Sequence, residues 1–243
     1  MGESFGAWNM GSDAALMPFV SSANIACGFH AGDPKTIFDT VKLAVSHDVA
    51  IGAHPSYPDL QGFGRRAMDL RPREVYHLVA YQVAAVKGIC EATGARLHHV
   101  KPHGALYNTA AANALLATAI AEAVRDIDSS LVLYGLSGSH LVSQAERLGL
   151  RAAAEVFADR TYQNDGSLTP RIEDNALITD SAAAVSQVTD MILRGRVTAT
   201  NGEEIELRAE TVCIHGDGEH ALEFAKALRA GLDSGGIEVK RFL

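Results

Sequence analysis

Short apolar runs alternate along the chain with longer stretches whose apolar residues recur every three or four positions. The short runs, at 21–27, 49–53, 97–100, 130–134, 151–157 and 211–214, read as buried strands. Between them, Ile37, Val41, Ala44 and Val45 share one helical face, as do Val75, Leu78, Val79, Val83, Val86 and Ile89. Further helices are predicted over about 110–125, 141–148, 180–193 and 219–232, with a short one near 13–19. Punctuation agrees with the periodicity. Asp33 and Asp180 stand where N-caps belong, and Pro72 suits a first helical turn. Asn201-Gly202 marks a small hairpin. Alternating strand and helix predicts an α/β fold, a mainly parallel sheet with helices outside, in one domain over 1–243. A long polar loop at about 161–179 interrupts the alternation, and loops of that length tend to be functional.

Four of the six strands end in histidine: His30, His54, the His98/His99/His103 group and His215. In parallel barrels the carboxyl ends of the strands converge on one face, which carries the chemistry. Pro102 keeps the third strand end from being a helix interior, and Gly104 lets its backbone turn. Side-chain alternation places His99, Lys101 and His103 on one face and His98 on the other. Lys101, between two candidate site residues, suits a buried cation facing a carboxylate or an oxyanion. Glu155 lies inside a strand, where a carboxylate needs a partner, so it is expected to face the site. Asp217 beside His215 makes an acid/base pair, a metal-ligand pair or a cap of the last helix. Asp159 and Arg160 are expected to form an ion pair at the base of the long loop. His47, His77 and His140 read as surface residues, and His220 as either.

Charge and composition narrow the partners. The 243 residues carry a formal net charge of −8, which disfavours nucleic acid and acidic membranes. No apolar stretch approaches the roughly 18 residues of a membrane span, and Met1-Gly2-Glu3-Ser4 lacks the features of a signal peptide. Cys27, Cys90 and Cys213 form no disulfide framework, which points to a reducing cytoplasm. There is no GxxxxGK[ST] phosphate loop, no GxSxG elbow and no HExxH helix.

Several longer motifs carry a resemblance. They are Gly2-Glu3-Ser4-Phe5-Gly6, Asn24-Ile25-Ala26-Cys27-Gly28-Phe29-His30-Ala31-Gly32-Asp33-Pro34, Gly52-Ala53-His54-Pro55-Ser56-Tyr57-Pro58-Asp59, Phe63-Gly64-Arg65-Arg66, Val100-Lys101-Pro102-His103-Gly104-Ala105-Leu106-Tyr107-Asn108, Glu155-Val156-Phe157-Ala158-Asp159-Arg160 and Ile214-His215-Gly216-Asp217. Together they resemble the LamB/YcsF family over almost the whole chain. The resemblance implies an irregular seven-stranded (β/α) barrel of the glycoside hydrolase/deacetylase type. It implies the A subunit of an ATP-dependent 5-oxoprolinase, which opens the lactam of 5-oxo-L-proline to L-glutamate with separate B and C subunits. ATP is then a co-substrate, bound mainly by the partners.

On that reading Glu3, His54 or Asp217 deprotonates water, and Lys101 and His103 stabilise charge or protonate the leaving nitrogen. Arg65 or Arg160 holds the substrate carboxylate, and His30, Asn108, Glu155 and His215 complete the substrate site. Two alternatives stand beside it. One is a metal-dependent hydrolase of the deacetylase type, with His30, His54, His103 and Asp217 as ligands for Zn²⁺ or a similar ion. The other is a non-catalytic protein that only holds the substrate for its partners. Family members begin with a strand running into Asp-x-Gly-Glu, whereas this sequence starts at the Met-Gly-Glu of that element. The expectation is a chain starting at an internal methionine or otherwise shortened, with the first of seven strands missing and two sheet edges left unpaired where the barrel should close.

Overall fold

A computed structural model describes residues 1–216, 218 and 221–242. The chain divides into two compact units, Met1–Gly135 with Ser139–Ala153, and Leu136–Gly138 with Ala154–Leu243.

The first unit opens with a one-turn helix α1 (Asp13–Leu16) and a 3-10 turn, Met17–Phe19. Strands β1 (Ser22–Ala26), β2 (Ala50–His54), β3 (Leu97–Val100) and β4 (Val132–Leu136) follow, joined by helices α2 (Pro34–Ser46), α3 (Pro72–Ala92), α4 (Gly104–Ala112) and α5 (Ala114–Ile127), with α6 (His140–Arg147) after β4. Strands β1 to β4 lie side by side in chain order and parallel, with Ala26 opposite His54, Gly52 opposite His99 and His99 opposite Val132. All five residues of β2 are buried, as a parallel strand covered on both faces requires. The core is aliphatic: Ile25, Val41, Ile51, Val83, Val100, Leu106, Ile120 and Leu133 are all buried. Each such side chain contributes on the order of 1.5–3 kcal/mol.

Local chemistry sets the helix ends. The Asp33 carboxylate accepts from Thr36 N at 2.8 Å, capping α2 behind Pro34, and its other oxygen accepts from Gly6 N, tying the N-terminal loop to the helix. The single helix expected over about 110–125 is two. The Asn113 side chain accepts from Leu115 N and Leu116 N, so α4 stops and α5 starts within one residue. Along β1, the Met1 amino group donates to Asn24 O at 2.9 Å and Ala26 N donates to Met1 O at 3.0 Å. Met1 thus takes ladder bonds beside β1 and sets where Glu3 stands.

In the second unit β5 (Arg151–Phe157), whose last four residues belong here, pairs in parallel with β8 (Thr211–Cys213), Glu155 opposite Thr211. The hairpin β6 (Arg196–Thr198) and β7 (Glu204–Glu206) forms as the Asn-Gly turn predicts, with Gly202 at φ +87°. Helix α7 (Ser181–Arg194) starts on the Asp180 carboxylate, which accepts from Ala183 N, and α8 (Ala221–Ser234) closes the unit. Strands β1, β2, β3, β4, β5 and β8 are the six of the expected alternation. A seventh strand of that set is not found among the described residues. No helix among them is long and apolar enough to cross a membrane.

One buried amide in α3 holds the segment after β2. Gln82, fully buried, accepts from Ser56 N at 2.9 Å and donates to Ser56 O at 2.9 Å. Replacing Gln82 by Leu leaves both Ser56 backbone groups without those partners, at about 1–3 kcal/mol for each. Urea unfolding of Gln82→Leu is expected to show a loss in that range; a change under about 0.5 kcal/mol would mean that the amide is not a structural clamp.

Candidate functional site

The strand ends of the first unit bring three of the predicted histidines together. His30 follows β1, His54 ends β2 and His103 follows β3. The His30 and His103 rings stack at 3.9 Å between centroids and 9° between planes, and His54 stands edge-on to both. His30 is 1% exposed, and His54 and His103 are buried. One ligand atom from each of Glu3, His30 and His103 lies within 4.8 Å of the others. Lys101 is buried next to them, its ammonium 5.6 Å from the Tyr107 ring centroid. Its backbone N donates to Ala53 O at 3.0 Å, extending the ladder one residue past β3.

Two carbonyls orient the rings. His54 Nδ1 lies 2.6 Å from Lys101 O, and His103 Nε2 lies 2.8 Å from Phe63 O. A carbonyl only accepts, so each of these nitrogens carries the proton. The remaining nitrogens, His54 Nε2 and His103 Nδ1, face each other at 3.0 Å. In neutral rings both would then be bare lone pairs. Three contacts need three protons, and two neutral imidazoles supply only two. His30 is a different irregularity: both of its ring nitrogens are buried with no hydrogen-bond partner.

The surroundings keep these rings neutral. Burial is the largest cause holding His54 well below the ordinary histidine range, with the charges of His103 and Lys101 adding to it. Burial likewise depresses His30, helped by His103 and Arg65. His103 is held down to about 3 by burial, partly opposed by its bond to Phe63 and reinforced by Arg65 and Lys101.

The Phe63–Gly64 segment, which the sequence marks only by its glycines, shapes the site. Both residues have positive φ, +53° and +65°. For Phe63 that conformation costs about 1–2 kcal/mol, and it turns the Phe63 carbonyl onto His103. A Cβ on Gly64 would overlap the Ser56 hydroxyl and press on the His103 ring and His30 Cβ, so only glycine fits there. The available sequence signal is the Gly62-Phe63-Gly64 run. Cys27 supports the same corner: its sulfur accepts from His54 N at 3.2 Å, and burial pushes its thiol up to about 12, so it is inert.

The neighbouring histidines of β3 take another part. His99 is fully buried, stacks on Tyr134 at 4.1 Å and meets Asn24 Oδ1 through Nε2 at 3.0 Å. Its Nδ1 meets His98 Nδ1 at 3.2 Å. Here His99 donates from Nε2 to Asn24 Oδ1 and accepts at Nδ1 from His98 Nδ1. A Cβ at Gly52 would enter the His99 ring, which is why β2 carries glycine opposite it. The Lys101 charge bears on His99, whose ring and hydrogen-bond contacts are Tyr134, Asn24 and His98 rather than His30, His54 or His103.

Arg65 is exposed, with its guanidinium 4.9 Å over the Phe63 ring, and Asn108 lies on the exposed side of α4. In the second unit Glu155 is buried in β5, and His215 Nδ1 contacts Asp159 Oδ2 at 2.6 Å. Burial alone would raise the Asp159 carboxyl, but its hydrogen bond with His215 and the charges of His215 and Arg171 outweigh it and lower it. The expected Asp159–Arg160 pair is therefore corrected: Asp159 pairs with His215. The Arg160 guanidinium instead donates to Ala176 O and Thr169 O and clamps the loop at 161–179. Asp217 and His220 lie outside the described residues.

The LamB/YcsF family model matches residues 1–243. A protein of Bordetella parapertussis, named as the A subunit of 5-oxoprolinase, is 59% identical over 240 residues, covering 99% of this chain and 95% of that one. One from Bacillus subtilis with the same name is 54% identical, covering 98% and 93%. The crystal structure of a lactam utilization protein from Thermus thermophilus matches with a TM-score of 0.94 and 47% identity, over 100% of this chain and 97% of that chain.

The ring orientations are directly measurable. Histidine ¹⁵N NMR of the metal-free protein is expected to show His103 protonated at Nε2, His54 at Nδ1 and His99 at Nε2. The opposite tautomer at His54 or His103 would mean that the carbonyls of Lys101 and Phe63 do not orient these rings.

Proposed function

Since the chain belongs to the LamB/YcsF family, we propose that it is the A subunit of a multi-subunit, ATP-dependent 5-oxoprolinase. It opens the lactam of 5-oxo-L-proline to L-glutamate and works with B and C subunits. The names borne by full-length relatives support this reading. The observation that carries it is the convergence of half-buried Glu3 with buried His30, His54 and His103, with Lys101 buried beside them.

The chemistry fits such a cluster. An unstrained amide is a poor electrophile, so ATP activates it by phosphorylating the lactam oxygen. The sequence has no phosphate loop, and that step falls to the partner subunits. This chain then hydrolyses the activated ring. Water adds to the carbon bearing the phosphorylated oxygen, the ring C–N bond breaks as the nitrogen takes a proton, and a second water hydrolyses the resulting acyl phosphate to the carboxylate and phosphate. The carboxylate and imidazoles activate the water. Lys101, fixed by burial, stabilises the charge that builds on oxygen. Arg65 receives the substrate carboxylate in a forked contact; the guanidinium of Arg160 is bonded to loop carbonyls. Three free, buried cysteines suit a reducing cytoplasm.

Lys101→Met separates this role from a structural one. With B and C subunits, 5-oxoproline and ATP, the variant is expected to release glutamate at least about 100-fold more slowly while its thermal unfolding stays cooperative. Near-normal turnover would remove Lys101 from the mechanism.

A further inference from the structure

The reacting groups of the lactam site are shut away. His30 is 1% exposed, His54 9%, His103 6% and Lys101 5%. Both ring nitrogens of His30 are buried without a hydrogen-bond partner. A lactam reaches these atoms only if something that covers them moves, and residues 59–66 are built to do so. The Asp59 carboxylate accepts from Gly62 N at 2.9 Å and from the Arg66 guanidinium, and its backbone carbonyl accepts from Gly64 N at 2.9 Å. Arg65 N donates to Gly62 O at 2.9 Å. The segment is thus fastened to itself around one buried carboxylate. Its seat on the rest of the unit is of another kind. Phe63 O accepts from His103 Nε2 at 2.8 Å, and Gly64 O from Ala105 N at 2.9 Å. The Phe63 ring stands edge-on to both stacked imidazoles, 5.5 Å from His30 and 5.1 Å from His103. Glycines make the seat close: a Cβ on Gly104 would strike the Gly64 carbonyl, and one on Gly64 would strike the Ser56 hydroxyl. Phe63 holds its strained positive φ while seated, and an opening movement releases it.

We propose that residues 59–66 form a flap that lifts from the histidine cluster and closes on it as one piece, carrying Arg65 onto the carboxylate of the lactam, so that closure selects lactams that bear one. The proposal deepens the lactam reading and rests on it for the ligand. Arg65 is exposed beside Phe63 with its guanidinium 4.9 Å over that ring, so the two side chains travel together. A carboxylate held in the Arg65 fork favours the closed form over the open one, and a ligand shifts such a balance only by that difference. A lactam without a carboxylate leaves the balance where it was. Substrate choice is then made by closure rather than by the histidines. Closure also keeps bulk water from the cluster and strengthens the charge interactions inside it, that of Lys101 included.

Amide hydrogen exchange of the full chain, corrected for intrinsic rates, reads the movement. The Ala105 amide is held by the flap and that of Lys101 by Ala53 O in the sheet ladder. Ala105 is expected to exchange at least about 100-fold faster than Lys101, the gap between a local and a global opening. The amides of Gly62, Gly64 and Arg65, bonded inside the flap, should exchange more slowly than Ala105. One common rate for these four means local melting and overturns the flap, as does an Ala105 amide as slow as that of Lys101. Phe63→Ala removes the cover and should speed Ala105 roughly tenfold without moving Lys101, and an unchanged Ala105 rate overturns the proposal. If that variant fails to fold, the wild-type rates decide alone. Added 5-oxoproline is expected to slow Ala105, and the slowing should vanish in Arg65→Gln. The same ring without its carboxylate, 2-pyrrolidinone, is expected to leave the rate unchanged, and equal slowing by both overturns selection by the carboxylate. A flap that opens and closes as described but ignores 5-oxoproline stands, and the lactam reading falls instead.

Discussion

The contact between His54 and His103 organises the first unit. It forms only because the parallel register of β1, β2 and β3 delivers three strand ends to one side, within a core dry enough to keep the imidazoles neutral. Around it, each support acts on position. Gln82 pins Ser56 two residues after His54, and strained Phe63 turns its carbonyl onto His103. Strain and buried polar groups are costly, and a fold that accumulates them around one pair of rings holds those rings to a narrow geometry. Such preorganisation is what general acid–base and electrostatic catalysis need.

Much of this is legible in the sequence because it rests on periodicity and punctuation. Strand and helix alternate as the apolar pattern requires, Asp33 and Asp180 cap their helices, and Asn201-Gly202 turns its hairpin. His30, His54 and His103 are expected to meet, since residues at the ends of adjacent parallel strands converge on one face. His99 is held by Asn24, His98 and Tyr134, partners that the sequence alone does not name. In a strand buried on both faces neither side is marked by polarity, so alternation cannot tell a site histidine from a packed one. The role of Phe63 is invisible in the sequence because it is exerted by a backbone carbonyl, and the role of Gln82 because a buried amide in a helix looks like any polar residue until its partners are known.

The loop of the second unit is recognisable by length and polarity, but its fastening is not. Charge alone suggests Asp159 with Arg160, adjacent and opposite. Sequence neighbours rarely point the same way along an extended backbone, and the structure gives each another partner: His215 for the carboxylate, loop carbonyls for the guanidinium. Asn113 shows the same limit at smaller scale. One capping side chain divides a stretch whose composition reads as continuous helix.

The chain belongs to the LamB/YcsF family, and the reading proposed for it is hydrolysis of an activated cyclic amide. The most direct measurement is glutamate release from 5-oxoproline and ATP by purified B and C subunits, with and without this chain. The account predicts no release from the partners alone and restoration when this chain is added. Full turnover by the partners without it would contradict the account and leave the histidine cluster without a part in the reaction.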